Sequence, residues 1–179
     1  MKDWNAIVTI YQEGYRRVVR ALQRIGPTDR THYYNVLVMK VDQPMAALET
    51  IERLTDERPP LYDAIARVAP ATFLFEFDSA ESFKDHAIGA MLAWSPNLAG
   101  RSFHVRLHHR GLKFDLRSQD AERLFNDAVV AATAKAGAPA RIAFDDPDAV
   151  IVIDTIDDRA GIAMWTREDL ARHRLLRPD

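Results

Sequence analysis

Cysteine is absent from the 179-residue chain. That excludes disulfides, thiolate metal sites and cysteine nucleophiles, and fits a reducing compartment. Glycine is scarce, with seven residues, and none of them builds Gly-x-Gly-x-x-Gly, Gly-x-x-x-x-Gly-Lys or Gly-x-Ser-x-Gly. The dinucleotide, P-loop and acyl-enzyme signatures are therefore missing. No apolar run approaches the about 20 residues that span a bilayer, and Met1-Lys2-Asp3-Trp4 lacks the build of a signal peptide. The expectation is a cytoplasmic protein without membrane contact. Excess charge of either sign is also lacking, the net being −2, so a nucleic-acid role would have to rest on a local patch.

What is present is charge segregation. Six aspartates and no base lie between Asp145 and Asp158, whereas Arg16, Arg17, Arg20 and Arg24 cluster near the start. Ser102 to Gly111 alternates as a β-strand does, with Phe103, Val105 and Leu107 on one face and His104, Arg106, His108 and Arg110 on the other. Arg101, Lys113 and Arg117 flank it, and from Arg101 to Arg117 five bases face the single acid Asp115, a local net of +4. Guanidinium forks on a face without carboxylates bind phosphate oxygens well. A solvated strand face is the plainer alternative. Arg16, Arg20 and Arg24 form an i, i+4, i+8 stripe, a solvated face or a second contact for a polyanion.

The apolar pattern divides the chain in two. Ala6 to Ile10 reads as a strand, then a helix on Tyr15, Val18, Val19 and Leu22 ends at Gly26-Pro27. Tyr33 to Val41 reads as a strand, and Asp42 with Pro44 opens a helix carrying Ala47, Leu48, Ile51 and Leu54. Leu61 to Val68 is expected to be a short helix and Thr72 to Phe77 a strand. This order predicts an α+β sandwich of ferredoxin-like type over residues 1–77. From 78 to 167, Ser79 caps a helix, the basic strand follows, and Ser118 caps a second helix striped by Ala121, Leu124, Phe125, Ala128, Val129 and Ala132. Arg141 to Phe144, an Asp145–Asp148 turn, the strand Ala149 to Ile153 and a hairpin into Gly161 to Trp165 complete this part. Residues 168–179 read as a basic tail that forms a short helix.

Three chemistries compete for these residues. His104 and His108 stand about 13 Å apart on a strand, too far to share one metal ion without a third element. A hydrolase or transferase using them with a nearby aspartate is the enzymatic alternative. Asp145, Asp146 and Asp148 suit a tight turn better than a cation site, since the loop lacks the glycine and distal glutamate of an EF-hand. No catalytic residue, metal or cofactor is assigned. A protein-interaction module on the basic strand is the remaining alternative.

Arg101-Ser-Phe-His-Val-Arg-Leu-His-His-Arg-Gly, the helix Ser118 to Ala136, then Ile142-Ala-Phe-Asp-Asp-Pro-Asp-Ala-Val-Ile-Val-Ile-Asp and the final hairpin resemble the THUMP domain. The ending Gly161-Ile-Ala-Met-Trp-Thr-Arg-Glu-Asp-Leu is similar to that of stand-alone THUMP proteins related to the adaptor of the tRNA cytidine acetyltransferase. Phe125-Asn126 departs from the glycine that many members place there. The resemblance implies an α+β chain in which a ferredoxin-like subdomain packs with a THUMP-type one. It implies tRNA as partner, docked by its acceptor stem and 3′ end and presented to a separate modifying enzyme. Arg101, His104, Arg106, His108, Arg110, Lys113, Arg117, Ser118 and Arg141 are the expected RNA contacts, with Arg16, Arg20 and Arg24 as a secondary stripe.

Overall fold

The computed structural model describes residues 1–11 and 13–178. It is a mixed α/β fold with two sheets, and the chain divides into two units: Met1–Thr72 with Leu170–Arg177, and Phe73–Asp169 with Pro178. Among the described residues no helix is long and apolar enough to cross a membrane.

The first unit runs β1 (Ala6–Ile10), α1 (Tyr15–Leu22), β2 (Thr28–Arg30), β3 (Val36–Met39), α2 (Pro44–Glu57), α3 (Pro59–Tyr62) and β4 (Ile65–Pro70). Its sheet has the order β2-β3-β1-β4 with every neighbouring pair antiparallel. β1 lies inside the sheet, and Ala6, Ile7, Val8 and Ile10 are all buried. Pro44 and the Pro59-Pro60 pair open α2 and α3, where proline loses no helical hydrogen bond. Gly14, at φ +93°, turns the chain into α1. A Cβ there would meet the Ala64 Cβ at 2.8 Å, so both backbone angle and space demand glycine.

One expectation is trimmed in this unit and another fails. The strand expected from Tyr33 to Val41 is present but shorter, as β3 alone. Thr31 and Asn35 close a turn before it, with the Thr31 hydroxyl donating to the Val36 carbonyl at 2.9 Å and Asn35 at φ +58°, so Thr28–Arg30 pairs back as β2. Residues 61–68 are not a helix. Ile65 to Pro70 lies along β1 as an edge strand, which short apolar runs with β-branched residues favour as readily as a helix. Pro70 is tolerated because β4 is an edge.

The second unit runs β5 (Phe73–Glu76), α4 (Ala80–Leu92), α5 (Ser95–Leu98), β6 (Ser102–His108), α6 (Ser118–Lys135), β7 (Arg141–Ile142), β8 (Ala149–Ile156) and β9 (Arg159–Thr166), followed by α7 (Arg167–Arg172). The sheet order is β5-β9-β8-β6-β7, with β6 parallel to β7 and β8 and the other pairs antiparallel. Ser79 caps α4 in a reciprocal box with Ser82. Phe83, Met91, Phe103, Val105, Phe125, Val129, Ile151 and Ile162 form the core beneath α4 and α6.

Here too the structure corrects the sequence reading. The strand expected over Thr72 to Phe77 does not close the first sheet; β5 pairs with β9, and Phe77 packs edge-on against Phe83 with ring centroids 5.0 Å apart. Ser118 is the first residue of α6 rather than its cap. Arg117 takes the extended cap position and offers no side-chain bond to the helix.

The expected short helix of the basic tail is present as α7, the residues after it pack onto the first unit, and Asp179 lies outside the described residues. Leu175 and Leu176 are buried in the first unit, and the Val68 amide donates to the Leu175 carbonyl at 2.9 Å. Arg172, His173 and Arg174 engage Glu49, Glu52 and Asp56 of α2.

Candidate nucleic-acid interface

β6 keeps the two faces that its alternation implies, but they are not one apolar and one open. Phe103, Val105 and Leu107 enter the core. On the opposite face His104 is only 3 % exposed. Its Nδ1 lies 2.8 Å from the Ala143 carbonyl, and its ring centroid is 5.3 Å from that of Phe144. This corrects the expectation of an accessible histidine: β6 is an inner strand, with β7 and β8 on either side.

The expectation of a face without carboxylates fails as well, because acids arrive from other elements. An Arg106 Nη1 lies 3.9 Å from Glu122 of α6, and the guanidinium carbon is 5.9 Å from the Phe144 ring centroid. Arg110 reaches Asp154 of β8 at 3.4 Å. His108 Nε2 is 2.7 Å from the Pro178 carbonyl. These partners lie 16 to 70 positions away in sequence, so no local charge count could register them.

Glu122 and Asn126 are the pair that sequence reasoning missed. β7 has two residues, so it pairs only with Ser102 and Phe103. Further along β6, Asn126 Oδ1 accepts from the Val105 amide at 3.0 Å and Glu122 Oε1 from the Leu107 amide at 2.8 Å. Two side chains one helical turn apart thus complete a sheet edge that β7 leaves open. The available signal was Asn126 itself, a polar residue inside the apolar stripe of α6.

Asp145, Asp146 and Asp148 form a turn, with Asp146 at φ +44°. The Asp148 carboxylate accepts from the Ser102 amide at 2.9 Å and the Ser102 hydroxyl at 3.0 Å. Those bonds hold its pKa below the usual 3.8, aided by Arg167 and Arg101. Arg167 also bridges Asp146 and Asp148, at 2.9 and 3.1 Å.

The remaining bases stand outward. Arg101, Lys113, Arg117 and Arg141 are exposed, and among the described residues none forms an ion pair. Arg101 and Arg141 adjoin across β6 and β7, the Arg141 amide donating to the Arg101 carbonyl at 2.8 Å. Lys113 and Arg117 lie beyond the other end of β6, before α6. Six strand steps between Ser102 and His108 put about 20 Å between those two groups. The nine expected contacts are therefore two exposed basic ends joined by a strand whose polar side chains already have partners. In the first unit Arg16, Arg20 and Arg24 are exposed and line one cleft.

No family model and no curated protein matches the sequence. Solved structures do resemble the fold. PH1313 from Pyrococcus horikoshii matches 89 % of this chain and 53 % of its own, with 14 % identity and a TM-score of 0.63. A 4-thiouridine synthetase solved with RNA and bound ATP matches over 91 % of this chain and 41 % of its own, with 13 % identity and a TM-score of 0.59. TrmN from Thermus thermophilus matches over 90 % and 44 %, with 13 % identity and a TM-score of 0.56. The chain thus spans about half or less of each of these three proteins, and at these identities the likeness is one of fold.

Proposed function

We propose that the chain is a THUMP-type tRNA-binding adaptor that presents the acceptor stem and 3′ end of tRNA to a separate modifying enzyme. The observation that carries the reading is the set of four exposed bases on the second unit, Arg101, Lys113, Arg117 and Arg141, none of which forms an ion pair among the described residues. Such cations attract a phosphate backbone, and phosphate contacts position a nucleic acid without reading its bases. The fold shared with a synthetase solved in complex with RNA supports the choice of ligand. The β-α-β-β-α-β order of the first unit, the short α3 aside, supports a ferredoxin-like subdomain ahead of the THUMP-type one. Arg106, His108, Arg110 and Ser118 contribute secondary contacts between the two basic ends, and His104 acts only by packing beneath Phe144. Arg16, Arg20 and Arg24 supply a further polyanion contact. No catalytic residue is assigned to the chain.

Filter binding of tRNA across a salt series tests this. Replacing Arg101, Lys113, Arg117 and Arg141 together by Glu is expected to flatten the log–log salt slope by about three units, at roughly 0.7 to 0.9 per phosphate. The same number of reversals at Lys2, Lys40, Arg53 and Lys135 is expected to change it far less. Equal losses from both sets, or no tRNA affinity in the wild type at low salt, would overturn the reading.

A further inference from the structure

Five arginines line a single cleft of the first unit. Gly14 lets α1 start hard against Ala64, so Arg16, Arg17 and Arg20 of α1, with Arg24 just beyond it, stand across the cleft from Arg58 at the head of α3. The cavity measures about 720 Å³, and among the described residues its lining has no carboxylate. Arg17 donates to the Pro60 carbonyl at 3.3 Å, and among the described residues none of the five forms an ion pair. Five like charges gathered without counter-charge repel one another, and a bound anion relieves that. The planar fork of guanidinium fits phosphate in particular.

A second cavity, of about 520 Å³, shares Tyr15 with the first and is lined by Arg30, His32, Tyr33 and Tyr34. The Arg30 guanidinium sits 4.8 Å from the Tyr15 ring centroid, and the His32 and Tyr33 rings are 4.1 Å apart. Tyr34 is 72 % exposed on the turn that Thr31 and Asn35 close. Tyr15 lines both cavities, and its hydroxyl is buried without a hydrogen-bond partner among the described residues. Duplex backbone would need only the charges. Open aromatic faces beside them suit bases out of the stack.

We infer that the arginine cleft and the tyrosine turn form one site for unpaired nucleotides, with phosphates in the cleft and a base on the turn. The inference rests on nucleic acid being the ligand of this protein. Fluorescence anisotropy of a labelled U8 RNA on the full chain at low salt reads it. Arg20→Gln/Arg24→Gln/Arg58→Gln is expected to weaken binding at least tenfold. Tyr34→Ala is expected to weaken it several-fold while leaving competition by inorganic tripolyphosphate unchanged. The site is overturned if either variant binds U8 as the wild type does, or if a polyglutamate peptide competes as well as U8. A wild type that binds tRNA but not U8 sinks this inference alone. One that binds neither sinks the tRNA reading with it.

Discussion

Asp148 shows what one side chain does beyond turning the chain. It ties β8 to the start of β6 through both donors of Ser102, and it receives Arg167 at 3.1 Å. Because those contacts favour the carboxylate, its proton leaves more easily in the folded protein than in the unfolded chain. The stability this group contributes is complete above the unfolded value near 3.8 and is lost as the pH falls through the folded one. Asp148→Asn is expected to lower the urea midpoint near neutral pH. The gap from the wild type should then narrow as the pH drops below about 4. A gap that stays constant in urea melts across that range would show that the charge does not matter. Glu122 and Asn126 act at the same scale. Each satisfies one strand amide, and neither could be linked to β6 from sequence, because that requires knowing that β7 stops after two residues.

Among the elements, helices with caps or proline starts were legible. The Asp42–Pro44 signal marks the start of α2, and Ser79 caps α4, because these devices act within a few residues. Short apolar runs are less secure, since a few buried residues fit either period, and at 61–68 the helical period is the wrong one. β5 is legible as a strand, but its partner β9 lies far along the chain, so its sheet is not. The C-terminal segment is the clearest case of an element whose place only tertiary contacts decide. Arg172, His173 and Arg174 read only as basic residues of a tail in sequence, yet they meet acids at i, i+3 and i+7 of α2. His173 Nδ1 is 2.8 Å from Glu52, whose other oxygen accepts from the Leu175 amide at 3.0 Å. Leu175 is fully buried beside them. Leu175→Ala is therefore expected to cost about 2–5 kcal/mol in urea unfolding, through lost contacts and the cavity left behind. Arg172→Ala, at an exposed pair, should stay within about 0.5 kcal/mol. Similar effects from the two would mean that the segment is not docked through its leucines.

For the whole molecule the net charge of −2 means that attraction to a polyanion comes from local surfaces and fades beyond a Debye length of about 8 Å at physiological salt. With four phosphate contacts on the second unit, tRNA affinity should fall by about a hundredfold between roughly 50 and 200 mM salt. A salt-independent affinity measured by the same filter assay would point to apolar contacts instead of the four bases.

The sequence by itself determined the mixed α/β class, most of the helices, the strand β1, the core face of β6 and the existence of two separated basic regions. Each of these depends on residue type and near-neighbour spacing. Only the tertiary structure decided which bases remain available. Glu122, Asp154 and the Pro178 carbonyl come from distant parts of the chain to meet Arg106, Arg110 and His108, while Arg101, Lys113, Arg117 and Arg141 stay exposed and form no ion pair among the described residues. Ion pairing depends on distance in space, and a strand's charges are neutralised by whatever packs beside it, which no count along the chain contains.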